Sequence, residues 1–213
     1  MRYGLSISSY RRGRQPVNDY NIILAGVGGQ GVLLLAEILG NAALQDELNV
    51  RVSELHGMAQ RGGAVISDIR IGERVLAPTV LEGTADAIVG LEPMEALRNI
   101  KYASEKTLVL INTTITKPGA TSQSIAYPAL ETIIEKIGLF TKNITMIDAT
   151  TIARTLGNVA IQNIVMLGAF VAIGKLPVKL ETIKNSIRES VPERYVEINL
   201  KAFEAGYNKV SIG

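Results

Sequence analysis

Two polar, glycine-containing segments near the start of the chain have residue types that could do chemistry. The loop His56–Gly63, HGMAQRGG, places the side chains of His56, Gln60 and Arg61 among glycines. A guanidinium can hold a carboxylate or phosphate through two parallel hydrogen bonds, and an imidazole can donate to a carbonyl oxygen. These three residues are therefore the candidate catalytic side chains. A turn whose charged groups contact only solvent would have the same composition.

The second segment, Gly26–Gly31 with the sequence GVGGQG, lies between a short apolar strand pattern and a long apolar helix pattern. Glycine allows positive φ and close backbone approach, and the first amides of a helix have no partner within it. Such a turn favours a negatively charged group. The candidate anion-binding residues of the two segments are Gly26, Gly28, Gly29, Gln30, Gly31, Gly62 and Gly63.

The glycine spacing leaves three interpretations open. Gly26, Gly28 and Gly31 satisfy G-x-G-x-x-G, and Glu54 ends the second strand pattern, where a dinucleotide site has its ribose-binding acid. That strand pattern runs into a glycine loop and a hairpin, however, where the fingerprint expects a crossover helix. The turn could hold a dinucleotide, hold a smaller phosphate or nucleotide group, or only let the helix pack closely on its strand.

The composition limits the chemistry that this chain can do alone. Its 213 residues include 22 basic and 20 acidic ones, a net charge of +2, which gives no single-sign field for general nucleic-acid binding. With no cysteine and one histidine, the chain cannot ligate an iron–sulfur cluster through thiolates or build a His-rich metal site. We expect no metal site here, so any redox chemistry requires a cofactor or a partner chain.

The hydrophobic pattern predicts an α/β fold, an open, mostly parallel Rossmann-like sheet with a β-hairpin insertion and a helical C-terminal third. The hairpin is predicted to pair residues 64–71 with residues 75–78. The polar positions of the first helix, residues 30–48, form one narrow stripe. We therefore expect another helix or another subunit to cover the second side of this helix.

Residues 1–20 are predicted to form a flexible N-terminal extension, and residues 21–213 a single domain. The extension has four arginines and no apolar run of signal-peptide length, which favours a cytoplasmic protein. The most apolar later segment, residues 159–174, is shorter than a bilayer span and is predicted to be a buried helix. No membrane partner is expected.

Four further polar residues are interpreted as structural. Glu92, Asn112 and Asp148 each follow a strand pattern and are predicted to be helix caps. Asn163 lies on an otherwise apolar helix and is predicted to form a hydrogen bond with a neighbouring element.

Several sequence blocks resemble a known family. They are GVGGQGVLLLAEILG, SELHGMAQRGGAVISDIRIGE and ADAIVGLEPMEALR, and the similarity continues through IDATTIARTLGN, NIVMLGAF and EINLKAFEAGY. These blocks resemble the small (beta) subunit of indolepyruvate:ferredoxin oxidoreductase, the equivalent of the gamma domain of the 2-oxoacid:ferredoxin oxidoreductases. The resemblance covers about residues 20–208 in order, and HGMAQRGG is its most specific block.

The resemblance implies that this chain is one part of an enzyme. In that family a large partner subunit holds thiamine diphosphate and iron–sulfur clusters. The complex converts an aryl 2-oxoacid and coenzyme A to acyl-CoA and carbon dioxide and reduces ferredoxin. This chain alone would hold no cofactor and be inactive.

From its polarity and position, we expect the loop His56–Gly63 to face the partner's active-site region or the path of coenzyme A. The glycine turn would then contribute an anion or coenzyme A contact. The alternative is a stand-alone nucleotide-binding or regulatory α/β protein that uses the glycine turn.

Overall fold

The computed structural model describes residues 19–56, 62–73, 75–116 and 127–211, and of His56 the backbone alone. Within these ranges six strands form one sheet: β1 (Tyr20–Val27), β2 (Asn49–His56), β3 (Ala64–Gly72), β4 (Ala85–Gly90), β5 (Ala103–Asn112) and β6 (Ile144–Ile147). The α-helices of the same ranges are α1 (Val32–Gln45), α2 (Pro93–Arg98), α3 (Leu130–Ile137), α4 (Ala149–Thr155), α5 (Gln162–Ile173), α6 (Leu180–Ser190) and α7 (Glu193–Ser211). Short 3₁₀ helices lie at Ile100–Tyr102 and Val159–Ile161.

The sheet is open and has the strand order β2-β3-β1-β4-β5-β6. β1, β4, β5 and β6 are parallel, whereas β3 runs antiparallel to both of its neighbours, β1 and β2. The strands other than β3 thus share a direction. Their carboxyl ends lie together at one end of the sheet, and we call this end the carboxyl edge. The predicted mostly parallel sheet with a helical C-terminal third is confirmed.

The hairpin insertion is present, but its predicted pairing is wrong. β3 pairs with β2, and residues 75–78 form no strand. The carboxylate of Asp68 on β3 accepts a hydrogen bond from Val80 N at 3.1 Å, so a side chain holds the following segment in place of a strand ladder. Pro78 also has no N–H to donate to a ladder. The hairpin is therefore β2–β3, and its connection is the loop 57–63.

The two faces of the sheet are buried in separate cores. Ile22 and Leu24 of β1 pack in a core shared with α1, α4, α5, α6 and α7. Ile23, which points to the opposite face, packs in a smaller core with α2 and α3. Because helices cover both faces, the loops at the two ends of the strands are where a ligand or partner can reach the sheet.

The second side of α1 is covered by α6 of the same chain. Ser186 Oγ in α6 donates to Ile38 O at 2.8 Å, and Asp46 accepts from Lys179 N at 2.6 Å and from Thr182 Oγ1 at 2.9 Å. Burial opposes ionisation of Asp46, but these hydrogen bonds and the charge of Lys179 outweigh it and lower its pKa. The expected cover is thus a helix, and the apolar character of α1 needs no partner subunit to explain it.

The helix predicted from residues 159–174 is α5, which has 12 residues after a short 3₁₀ turn. Its residues 163–170 are all buried, which confirms the prediction of a buried helix. In the parts of the chain that the structure describes, no helix combines the length and hydropathy needed to cross a membrane.

Candidate functional site

The glycine turn connects β1 to α1 at the carboxyl edge, and its backbone requires glycine. Gly29 and Gly31 have φ values of 96° and 82°, in the left-handed region that L side chains avoid. At Gly26 a Cβ atom would lie 2.9 Å from Val32 Cγ2, so the turn is also too tight for a side chain there. Gly28 and Gly29 are exposed. The turn therefore presents bare backbone to solvent.

Gln30 points into the protein and holds this turn. Its Oε1 accepts a hydrogen bond from Val27 N at 2.7 Å. Its Nε2 donates to Leu91 O at 3.2 Å, beyond the end of β4, and to Thr116 Oγ1 at 3.3 Å, beyond the end of β5. Three strand ends are thus tied together by one buried side chain. The side chain of Gln30 is occupied by these bonds, so within the turn the groups open to a ligand are backbone groups.

The two candidate segments of the sequence lie side by side. Gly28 N donates to Gly63 O at 2.8 Å, and a Cβ on Gly28 would lie 3.4 Å from Gly62 N. The hairpin connection between β2 and β3 therefore packs directly on the glycine turn. The side chain of His56 and all of Gln60 and Arg61 lie outside the described residues.

The strand order separates Glu54 from the glycine turn. Glu54 is exposed on β2 and pairs with Ser67 of β3, which lies between β2 and β1. Two strand spacings amount to roughly 10 Å, whereas a dinucleotide fingerprint places the ribose-binding acid on the strand next to β1. The inserted antiparallel strand β3 therefore removes the ribose-binding acid of the dinucleotide fingerprint and leaves only its glycine spacing.

Asn112 joins the ends of β5 and β4 to the start of α4. Its Nδ2 donates to Leu91 O at 3.2 Å and to Thr150 Oγ1 at 3.1 Å, and its Oδ1 accepts from Ala149 N at 3.1 Å. Thr150 Oγ1 donates in turn to Gln162 Oε1 at 2.6 Å, at the start of α5. Asn112 is thus structural, as predicted, but it is not the cap of the helix that follows it, because the N-cap residue of α4 is Asp148.

The remaining structural predictions for this edge also hold. Asp148 caps α4 by accepting from Thr151 N at 2.9 Å, and this bond lowers the pKa of Asp148. Asn163 Nδ2 donates to Gly31 O at 3.3 Å, which fixes the start of α5 against the start of α1. A Cβ on Gly31 would meet that Nδ2 at 2.3 Å. The contact between these two helices therefore also depends on a glycine at this position.

Two residues, the buried acid Glu92 and Tyr127, form hydrogen bonds just beyond the end of β4. Glu92 caps α2 by accepting from Glu95 N at 3.0 Å, and the hydroxyl of Tyr127 donates to its other carboxylate oxygen. Burial, and then the hydrogen bond and charge of Glu92, raise the pKa of the Tyr127 phenol, so it stays protonated as a donor at neutral pH. Burial raises the pKa of Glu95, against the opposing charge of Arg98 at 2.7 Å. These groups serve the packing of α2.

The sequence contained no signal for several members of this network. No sequence spacing marks Thr150 and Gln162 as neighbours, or Tyr127 and Glu92, because each pair meets only through strand order and helix packing. Among the described residues, no group of three or more His, Asp or Glu side chains is placed to hold a metal ion. In the described part of the chain, this edge therefore offers the exposed backbone of Gly28 and Gly29, held by the side-chain amides of Gln30 and Asn112.

A family model described as pyruvate ferredoxin/flavodoxin oxidoreductase matches residues 21–209. This chain belongs to that family. Among its oxidoreductase relatives is the indolepyruvate oxidoreductase subunit IorB of Archaeoglobus fulgidus, 41% identical over 91% of this chain and 96% of that protein. The resemblance noted in the sequence is thereby confirmed, as is the prediction of an oxidoreductase subunit.

Solved structures agree with this assignment. The pyruvate oxidoreductase subunit PORC of Thermotoga maritima is 26% identical, with a TM-score of 0.67 over 91% of this oxidoreductase subunit and 97% of that chain. The 2-oxoglutarate:ferredoxin oxidoreductase of Magnetococcus marinus shares the fold, with 17% identity and a TM-score of 0.69 over 94% of this chain. There the match spans 32% of the neighbour, so the same fold also occurs within a longer chain.

Proposed function

We propose that this chain is the non-cofactor subunit of a thiamine-dependent 2-oxoacid:ferredoxin oxidoreductase of the indolepyruvate type. The complex oxidatively decarboxylates an aryl 2-oxoacid in the presence of coenzyme A, forms the acyl-CoA and carbon dioxide, and passes the electrons to ferredoxin. The observation that supports this most is the 41% identity with an indolepyruvate oxidoreductase subunit over nearly the whole of both chains. In this proposal residues 21–213 act as one gamma-type unit in the cytoplasm.

A larger partner subunit holds the cofactors in this proposal. The residues of this chain do not fit an iron–sulfur cluster, because the full sequence contains no cysteine. The carboxylates of the described residues also form no metal-binding group. Thiamine diphosphate, which stabilises the carbanion formed on decarboxylation, and the clusters that carry electrons to ferredoxin would therefore both be bound by the partner.

The carboxyl edge is where this chain would contribute to the reaction. The exposed backbone of Gly28 and Gly29 lies against Gly63, at one end of the loop that contains Arg61. We assign this loop to the partner's active-site region or the path of coenzyme A, whose phosphates and pantetheine amides suit a guanidinium and backbone amides. His56 and Gln60 are further candidate contacts on the same loop.

The Arg61→Ala variant tests this assignment in the assembled complex. We expect the KM for coenzyme A to rise or the turnover with saturating substrates to fall at least about tenfold, because a bidentate charged contact is lost. The far-UV circular dichroism and thermal midpoint of the subunit should not change. Arg188→Ala on the exposed side of α6 is the matched control and should behave as wild type. Wild-type kinetics in Arg61→Ala would disprove the role of the loop.

The choice of 2-oxoacid is tested by purifying the complex with its co-expressed partner. Ferredoxin reduction would be followed with indolepyruvate, phenylpyruvate, pyruvate and 2-oxoglutarate, each with coenzyme A. The proposal expects kcat/KM to be highest for the two aryl substrates. A preference for pyruvate or 2-oxoglutarate would contradict the indolepyruvate type but not the subunit role.

The alternative function, a stand-alone nucleotide-binding or regulatory protein, is favoured by one observation. The strand–turn–helix unit has the left-handed glycines of a phosphate-binding turn, and its residues Gly28 and Gly29 are exposed. Calorimetry of the isolated chain with NAD, FAD, ATP and coenzyme A separates the two hypotheses. Micromolar binding of a dinucleotide or ATP would favour the alternative, whereas binding of none of these, together with a co-purifying large subunit, supports the oxidoreductase proposal.

A further inference from the structure

A cavity of about 210 Å³ lies between α6 and α7, and we call it the α6–α7 groove. The residues that line it are Leu180, Lys184, Phe203, Glu204, Tyr207 and Asn208. All six belong to the last two helices of the chain, so the groove shares no residue with the glycine turn or with the loop between β2 and β3. It is therefore a second place in the molecule where a ligand can be held.

Each wall of the groove is fixed by a different neighbouring helix. α6 is held to α1 by the hydrogen bond from Ser186 Oγ to Ile38 O at 2.8 Å. α7 is held to α5 at a crossing so close that a Cβ on Gly206 would lie 1.9 Å from Val165 O. Because neither anchor lies within the groove, its shape does not depend on a ligand. A preformed site of this kind spares a ligand the cost of ordering the protein.

The floor of the groove is apolar and aromatic. Phe203 is 1% exposed, and Leu180 and Tyr207 are partly buried against the larger core. The rings of Phe203 and Tyr207 are stacked, with their centroids 6.2 Å apart. An apolar cavity of about 150 Å³ is enough to bind benzene, whereas drug-sized ligands occupy roughly 300 Å³ or more. The volume of the groove therefore suits one aromatic ring or one branched aliphatic group.

Two opposite charges border this floor and are only weakly paired. Lys184 Nζ lies 3.4 Å from Glu204 Oε1, beyond the roughly 2.7–2.9 Å of a strong charge-assisted hydrogen bond. The side chain of Lys184 is nevertheless only 21% exposed. Within the described parts of the chain, these two side chains form no other hydrogen bond or ion pair, and the side-chain amide of Asn208 forms none. Polar groups with spare bonding capacity thus surround an apolar floor, as in small-molecule sites.

We propose that the α6–α7 groove binds a free α-amino acid whose side chain is apolar and no larger than one aromatic ring. The side chain lies on the apolar floor, the carboxylate pairs with Lys184, and the ammonium group pairs with Glu204. A ligand with a single charge would be repelled by one of these two residues, whereas a zwitterion complements both. Separating the existing pair costs little, because a partly exposed ion pair of this length contributes little to stability.

This inference goes beyond the proposed function and does not depend on it. It concerns helices that lie apart from the glycine turn in the sequence, and binding alone tests it. Failure of the oxidoreductase proposal would leave the amino-acid site intact, and failure of the site would leave the subunit role intact.

Titration of the full, ¹⁵N-labelled chain, followed by amide chemical shifts, measures the binding. L-Phenylalanine should bind with a Kd of about 1 mM or below, with the largest shifts at residues 180–184 and 203–208. Glycine has no apolar side chain and should bind at least about tenfold more weakly. Phenylacetate and phenethylamine each keep the ring but only one of the two charges, and they should also bind at least about tenfold more weakly.

Single substitutions test the two charged contacts. Lys184→Gln and Glu204→Gln should each raise the Kd for L-phenylalanine at least about tenfold, because each removes a charge-assisted hydrogen bond, and the circular dichroism spectrum should not change. The matched control is the ion pair of Lys201 with Glu197 at 2.6 Å, which lies on α7 but does not line the groove. Lys201→Gln and Glu197→Gln should leave the Kd unchanged.

The wild-type titration keeps the test decisive if a variant fails to fold. The absence of saturable shifts with L-phenylalanine at about ten times the expected Kd, or shifts centred on other residues, would overturn the inference. Equal effects of the groove and control substitutions would also overturn it. Equal affinity for phenylacetate or phenethylamine would show that the groove recognises only the ring, and the assignment of an amino acid would then be wrong.

Discussion

Gln30 shows how one buried side chain can set the shape of the candidate turn. Its Oε1 is the hydrogen-bond acceptor of Val27 N, whereas Leu91 O, which accepts from its Nε2, also accepts from Asn112 Nδ2. Leaving a buried group such as Val27 N without a partner costs about 1–3 kcal/mol in mutational series. The conformation of the exposed glycines therefore depends on a residue that does not itself face solvent.

We expect Gln30→Ala to lower the free energy of unfolding by about 1–3 kcal/mol, since it leaves the buried Val27 N without an acceptor and opens a small cavity, whereas Leu91 O keeps the hydrogen bond from Asn112. Urea unfolding at pH 7 measures this. The matched control is Gln45→Ala at the exposed end of the same helix, which should change the free energy by less than about 0.5 kcal/mol. Equal effects of the two substitutions would show that Gln30 is not a structural anchor.

Asp68 and Asp46 are buried carboxylates with opposite pH behaviour. Burial raises the pKa of Asp68 above its ordinary value of 3.8, against the hydrogen bond from Val80 N and the charge of Lys101, and one of its oxygens has no hydrogen-bond partner. A raised pKa means that the folded state binds more protons than the unfolded state above pH 3.8. The contribution of Asp68 to stability therefore falls as the pH rises through this window.

The Asp68→Asn variant should accordingly gain stability relative to wild type as the pH rises from 3.8 towards neutrality. The pKa of Asp46 is lowered, so its contribution is present above 3.8 and is lost as the pH falls through its folded pKa. Asp46→Asn should therefore lose stability relative to wild type as the pH rises towards 3.8. Urea midpoints from about pH 2 to about pH 7.5 measure both, and parallel curves for the two variants would refute the assignment.

At the scale of the elements, the crossing of α5 and α7 depends on two glycines. A Cβ on Gly168 would lie 1.9 Å from Phe203 O, and one on Gly206 would lie 1.9 Å from Val165 O. The obstructing atoms are backbone, so the helices would have to separate. Small residues at both positions let two buried helices approach closely and build the helical C-terminal third.

We expect Gly168→Ala and Gly206→Ala each to destabilise the fold by about 1–3 kcal/mol or more, because the added methyl group overpacks the crossing. Thermal and urea unfolding measure the change. Gly40→Ala in α1 is the matched control, because its Cβ would meet the nearest atom, Val52 Cγ2, at 3.8 Å. That variant should gain about 0.5–1 kcal/mol from helix propensity. Stabilisation by alanine at Gly168 would contradict the close crossing.

At the scale of the whole molecule, the chain divides into a rigid scaffold and one unusual edge. Two cores bury the sheet on both faces, and the amide network at the carboxyl edge ties the ends of β1, β4 and β5 to α4 and α5. The exposed glycine turn lies at this edge beside Gly63. We expect the contribution of this chain, which has no cysteine, to the proposed redox complex to be made here.

We expect removal of metal to affect the complex and not this chain. Prolonged treatment with a chelator should bleach the visible absorbance of the assembled enzyme, because the proposed function places the clusters on the partner. The thermal midpoint of the isolated chain should stay within about 1 °C with or without EDTA, because a chelator lowers stability only by removing a metal that binds the folded state. A chelator-dependent midpoint in the isolated chain would contradict the proposed division of cofactors.

Local sequence patterns predicted most of the helices and strands, but they did not always predict which element each one pairs with or packs against. The alternation of β3 marks it as a strand, yet alternation says nothing about which strand it pairs with, and the predicted partner, residues 75–78, was wrong. Asn163 was predicted as a hydrogen-bonding residue because an amide on an apolar helix must be satisfied. Its partner, Gly31 O, depends on how α5 packs against α1.

The sequence by itself determined the strand–glycine turn–helix unit, the exclusion of thiolate chemistry and the family, since these follow from local residue types and contiguous blocks. Only the tertiary structure decided that Gly28 packs on Gly63 and that β3 separates Glu54 from the turn. The reason is physical: strand order and loop adjacency result from burying surfaces that are distant along the chain, and local propensity contains no information about those pairings.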